Sequence, residues 1–116
     1  MSKTKLSSLD FARAARDALL EKKGTDVVIL DVRGTSDLTD FYVIATGNNG
    51  PHLKALWSEC ERVMLDRRGR AYRHAGKPDS GWLVGDYWDV VVHIFSEKAR
   101  AHYALETLWR DAKPVE

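Results

Sequence analysis

The sequence predicts an α/β fold built on one mixed sheet, and three observations lead there. The elements run αββαββ(β)α, short β-branched runs alternating with stretches of helical periodicity. The first two strands are joined by too few residues to hold a helix, which calls for an antiparallel pair. A length of 116 residues suits one domain, 1–116 with a core at about 9–112, and a chain of that size buries about two-thirds of its unfolded surface around one core.

The first helix has both ends marked. "SSLD" at Ser7 to Asp10 has capping-box spacing, in which hydroxyl and carboxylate satisfy the first backbone amides. Lys22, Lys23 and Gly24 mark its end, cations against the negative pole and glycine in the left-handed turn. Between them Ala12, Ala15, Ala18 and Leu19 form a modest apolar stripe. "DVVILDV" at Asp26 to Val32 reads as a buried strand, "RGTSDLTD" as a turn, and "FYVIATG" at Phe41 to Gly47 as a second strand. "GNNGP" opens the clearest helix, with Leu53, Leu56, Trp57, Cys60, Val63 and Met64 on one side and Gly69 at its end. A weak strand around Ala71 to His74 leads into "AGKPDSG", a loop by composition. After the hairpin "GWLVGDYWDVVVHIF", Gly81 to Phe95, the stretch "SEKARAHYALETLWRDA" closes the chain as one or two helices. Ser96 is its N-cap, and Leu105, Leu108 and Trp109 face inward.

Composition narrows the classes of function. A charge of +1, from 18 basic and 17 acidic residues, gives no overall field toward bare nucleic acid or an acidic membrane. Cys60 is the only cysteine, so an intramolecular disulfide is excluded and a reducing compartment fits. No apolar run is long enough to span a membrane, the N-terminus lacks a secretory pattern, and Asp10, Asp17 and Glu21 argue against a transit peptide. The expected location is the cytoplasm.

The hairpin is where the sequence departs from simple core patterning. With Tyr87 and Trp88 as the two turn residues, Asp86 faces Asp89, Val84 faces Val91 and Trp82 faces His93. Leu83, Val90, Val92 and Ile94 then make one aliphatic face, fit to lie under helices. Trp82, Val84, Val91, His93 and Phe95 make the other, with the aromatic and polar mixture of a protein interface. Either the final helix covers this second face, with His93 a satisfied core histidine, or a partner does.

Four acids are the remaining candidates for chemistry. Asp37, Asp40, Asp86 and Asp89 fall as Asp-x-x-Asp around turns, whereas a nucleotidyltransferase pairs carboxylates on one strand face to share metal ions. They read as turn formers or as acidic partners of a basic protein. "GNNG" before a helix reads as a cap rather than a phosphate cradle, for want of a phosphate-loop lysine. Cys60 reads as core rather than nucleophile. His52, His74 and His102 lie on different elements and suggest no metal site. "DRRGRAYRH" places Arg67, Arg68, Arg70 and Arg73 in one run, a solvated helix end or a contact for RNA phosphates.

Three separated stretches, "DVRGTSDLTDFYVIATG" at Asp31 to Gly47, "WLVGDYWDVVVHIF" at Trp82 to Phe95 and "YALETLW" at Tyr103 to Trp109, resemble the ribosome silencing factors, the Iojap family. The likeness runs from about Leu9 to Ala112 in the same order. It implies a nucleotidyltransferase-like sheet, no catalytic equipment and no cofactor. It further implies binding to large-subunit ribosomal protein L-fourteen (uL-fourteen) on its intersubunit face, which keeps the small subunit from joining when nutrients are short. With that partner the expected contact surface is Trp82, Val84, Asp86, Tyr87, Asp89, Val91 and His93 of the hairpin, with Asp37 and Asp40 beside it, and the arginine run is either a contact to nearby ribosomal RNA or a solvated helix end. The rival expectations are a nucleotide-binding enzyme on the same fold and a homodimer that pairs the aromatic face with itself. Trp88 stands where the family commonly has glycine, and "GNNGPH" replaces a more usual serine-rich stretch.

Overall fold

A computed structural model describes residues 7–34, 39–67, 73–103 and 113–115. Helix α1, Ser8–Glu21, begins where Ser7 Oγ accepts the Asp10 backbone N–H at 3.1 Å, the hydroxyl half of the expected capping box. It ends in a Schellman motif, Gly24 N–H donating to Leu19 O and Lys23 N–H to Leu20 O, both at 2.9 Å. The left-handed residue is Lys23, at φ 66°, and not the glycine after it. Gly24 is packed instead, its missing Cβ only 3.0 Å from the Leu19 carbonyl oxygen. Phe11 joins the expected alanines and Leu19 on the buried side.

Strands β1, Thr25–Asp31, and β2, Phe41–Gly47, pair antiparallel as their short connection requires. The register slips between Thr25 and Val28, where Asp26 takes φ 48°, as a bulge does. Helix α2, Gly50–Arg67, buries Leu53, Leu56, Cys60 and Met64, with Trp57 and Val63 packed at the margin. Burial pushes the Cys60 thiol up to about 12, so this cysteine is packing and not a nucleophile.

The second half holds β3, Arg73–Lys77, a 3₁₀ turn at Pro78–Ser80, β4, Trp82–Asp86, β5, Val90–Ser96, helix α3, Glu97–Tyr103, and β6, Lys113–Val115. The weak strand expected around Ala71 to His74 is present from Arg73 and takes Ala75 to Lys77 from the expected loop, while Ala71 and Tyr72 lie outside the described residues. The described part of the closing stretch, Glu97–Tyr103, is helical as expected. Leu105, Leu108 and Trp109 lie outside the described residues, and β6 follows the stretch as an additional strand. Pro114 is tolerated in β6 because that strand pairs on one side only, with β1.

The six strands among the described residues form one sheet in the order β3-β4-β5-β2-β1-β6. Only β2 and β5 run parallel, so the sheet is mixed as predicted. Its first face carries Ile29, Phe41, Val43, Ala45, Leu83, Val90, Val92 and Ile94 under α1 and α2. Each large side chain buried there contributes roughly 2 kcal/mol through removal of apolar surface from water. The Cα radius of gyration, 13.2 Å, agrees with the scaling for a chain of this length.

Candidate functional site

Alternation along β4 and β5 divides the hairpin into the two faces expected, although the register is shifted. Trp82 pairs with Phe95, Val84 with His93 and Asp86 with Val91, two residues from the predicted partners. A two-residue shift preserves the side on which every residue points, whereas a slip of one would have exchanged the faces. The turn accounts for the shift. Tyr87 N–H donates to Val90 O at 2.9 Å, which leaves Trp88 and Asp89 as the turn residues in place of Tyr87 and Trp88.

Asp89 N–H donates to Tyr87 O at 3.0 Å across Trp88, whose φ is 77°. That is a γ-turn with positive φ at its centre, the rare and strained form. The left-handed region costs a residue with a Cβ about 1–2 kcal/mol. Trp88 is held there by Asp86 Oδ1, which accepts its backbone N–H at 2.9 Å, and its side chain is 62% exposed.

On the second face four rings meet. The Trp82 indole Nε1 donates to His93 Nδ1 at 3.1 Å and stacks on Phe95 at 5.2 Å between centroids. His93 lies parallel to Phe95 at 5.9 Å and 5.4 Å from Tyr42 of β2. Because Nδ1 accepts the indole proton, the imidazole is neutral with its own proton on Nε2. Burial pushes its pKa down to about 4.

Coverage of this face is graded. Phe95 and Ile44 are fully buried, with Ala99 of α3 packed against their cluster. Helix α3 is fixed at that end by Arg100, whose Nη1 donates to Thr46 Oγ1 and to the carbonyl of Asp26 at the β1 bulge, both at 2.7 Å. His93 is only 7% exposed, so it supports the surface from behind. Trp82, Val84, Asp86, Val91 and Tyr42 are half-buried and present the accessible part.

Several of the expected contact residues are used inside the fold. Tyr87 follows Leu83 and Gly85 onto the helix-covered face, 3% exposed and edge-on to Phe11 at 5.3 Å, so it is core and not surface. Burial raises its phenol pKa. Asp40 and Asp89 converge on Ser8, whose hydroxyl lies 2.8 Å from Asp40 Oδ2 and 2.7 Å from Asp89 Oδ2. Both carboxylates therefore sit at the first turn of α1, where the helix dipole favours them. They anchor the helix start to the sheet, a role the spacing of the acids did not reveal. Asp86 is the expected turn former, and Asp37 lies outside the described residues.

The other motifs have structural roles. Asn49 Oδ1 accepts the His52 N–H at 2.8 Å, so "GNNG" caps α2. His52 Nδ1 accepts from Asn48 N–H at 2.9 Å, and its Nε2 donates to Lys22 O at 2.8 Å, tying the two helices together. His74 packs its ring on Trp57 at 5.9 Å, and the side chain of His102 lies outside the described residues. Arg67 and Arg73 are exposed at the end of α2 and on edge strand β3, while Arg68 and Arg70 lie outside the described residues. Among the described residues no three His, Cys, Asp or Glu side chains are grouped to hold a metal ion. No helix among them is long and apolar enough to cross a membrane.

The family model described as "Ribosomal silencing factor during starvation" matches residues 5–116. The chain belongs to the ribosomal silencing factor family. It is 35% identical to the protein named ribosomal silencing factor RsfS from Halalkalibacterium halodurans, over 96% of this chain and 95% of that one. A chloroplastic Iojap protein of Zea mays is 34% identical over 93% of this chain and 47% of its own length. Among solved structures, a protein from Chromobacterium violaceum superposes with a TM-score of 0.87 at 27% identity, covering 95% of this chain and 92% of that chain. One from Bacillus halodurans gives 0.81 at 33% identity, covering 93% and 98% respectively. The ribosomal silencing factor fold thus extends across this chain, and the resemblance read from its three motifs was correct as to family.

Proposed function

We propose that this chain, in the cytoplasm, binds ribosomal protein L-fourteen of the large subunit through the second sheet face and obstructs joining of the small subunit. The observation that carries the reading is the ring cluster around Trp82. A half-buried indole is hydrogen-bonded to His93 and stacked on Phe95, so little side-chain freedom remains to be lost on binding. Val84, Val91 and Tyr42 extend the apolar area beside it, and Asp86 supplies an acid for a basic ribosomal protein. Within this reading His93, Asp40 and Asp89 position the surface, and Tyr87 belongs to the core.

The action proposed is steric, without a bond-making step. An enzyme on this fold would need the acids and the phosphate-binding loop together. Asp40 and Asp89 precede β2 and β5, whereas the Asn48–Asn49 loop follows β2, a seven-residue strand away. Such a strand spans roughly 20 Å, too far for the acids to reach a phosphate at the loop. Calorimetry with nucleoside triphosphate and magnesium tests that rival.

The direct test is titration with purified L-fourteen. Trp82→Ala is expected to weaken binding by about 2 kcal/mol, as a central anchor does. Val84→Glu, which leaves the ring stack intact, is expected to weaken it as well while the melting temperature stays near wild type. Undiminished affinity in both variants would refute this face.

A further inference from the structure

Among the described residues three non-glycines take positive φ, Lys23, Asp26 and Trp88, and Trp88 is the bulkiest of them. It occupies φ 77°, a region suited to glycine, and gains little burial in return, since it is 62% exposed. The turn that holds it is pinned from several directions. Asp86 Oδ1 takes its N–H, Tyr87 anchors one side in the core, and Asp89 O accepts from both Asp40 and Phe41 N–H at 2.9 and 3.1 Å. A largely exposed indole is thereby displayed on a rigid mount.

Beyond the turn acids Asp86 and Asp89, the edge strand next to the hairpin is basic. Asp86, at the root of the turn, pairs in register with Arg73 of β3. All five residues of that edge strand are exposed, and they include Arg73, His74 and Lys77 but no acid. Of the turn acids, Asp89 is turned onto Ser8, while Asp86 accepts the Trp88 N–H and remains on the face assigned to the protein contact. An exposed aromatic beside a basic strand is the chemistry that stacks on an unpaired base while holding its phosphates.

We infer that Trp88 and the β3 edge bind single-stranded or looped ribosomal RNA beside the protein contact, Trp88 stacking on a base and Arg73 and Lys77 meeting phosphates. This rests on the proposed docking to the large subunit and assigns that docking a second, separable component. A protein occupant is the alternative that the experiment distinguishes.

The test pairs stability with binding. Trp88→Gly removes the conformational strain and is expected to raise the melting temperature by roughly 4 °C. The same substitution is expected to weaken binding to purified large subunits about tenfold, the loss of one stacked base. Trp88→Asn, which also tolerates the left-handed region, should behave alike. A fluorescent ten-nucleotide single-stranded RNA should lose affinity for both variants, and Arg73→Gln should lower the slope of log affinity against log salt by about one. Binding to isolated L-fourteen should be unchanged in the Trp88 variants. Unaltered large-subunit affinity, a lowered melting temperature, or a loss seen with L-fourteen and not with RNA would each overturn the inference. If Trp82→Ala releases the subunit while Trp88→Gly does not, only the RNA component fails and the protein contact stands.

Discussion

His93 shows how one buried side chain shapes both stability and surface. Its ring accepts a hydrogen bond from the Trp82 indole and lies between Tyr42 and Phe95, and burial there keeps it neutral and holds its pKa near 4. The unfolded chain binds a proton there below about pH 6.5. Between pH 6.5 and 4 the unfolded state therefore carries more protons than the folded one, and stability falls as pH falls through that window. Above pH 6.5 the histidine costs nothing. The full penalty by pH 4 is about 3 kcal/mol. Urea unfolding of wild type and His93→Gln between pH 7 and 4 is expected to show a shallower decline for the variant. Parallel declines would remove His93 from this role.

The β4–β5 hairpin is held by what its neighbours leave room for. Gly85 lies under Trp57 of α2, with ring atoms 2.5 and 2.6 Å from where a Cβ would stand. Gly85→Ala is therefore expected to destabilise by about 1–3 kcal/mol through overpacking, measured as a lower urea midpoint with unchanged m-value. Paired with Trp57→Leu, the same alanine should cost less, which separates this clash from loss of glycine flexibility. The hairpin also marks how far the sequence could be read. Its two faces were legible because alternation depends only on strand identity. Its register was not, because that depended on a strained γ-turn at Trp88, where a bulky residue occupies a glycine-like conformation. The limits of β2 were plain from its β-branched run, and the six-residue stripe of α2 was plain from its period. The strand at Lys113–Val115 carried no signal, being three residues with a proline, stable only through pairing with β1. The meeting of Asp40, Asp89 and Ser8 was hidden because the three come from distant parts of the chain. The burial of Tyr87 was missed because the alternation of β4 continues one residue past Asp86 onto the core side.

Taken whole, the molecule is a slab of 43 × 30 × 24 Å with two helices against one face of its sheet and a graded, half-open surface on the other. A body of that size docked through a standard interface of roughly 800 Å² per partner leaves most of its bulk standing off the surface it binds. Steric obstruction then needs no conformational change and no ligand. The most direct check is sucrose-gradient sedimentation of purified large and small subunits with increasing amounts of the protein. The account predicts that the protein migrates with large subunits and that the joined-particle peak falls in proportion to their occupancy. A joined-particle peak of undiminished height with the large subunits saturated would contradict it.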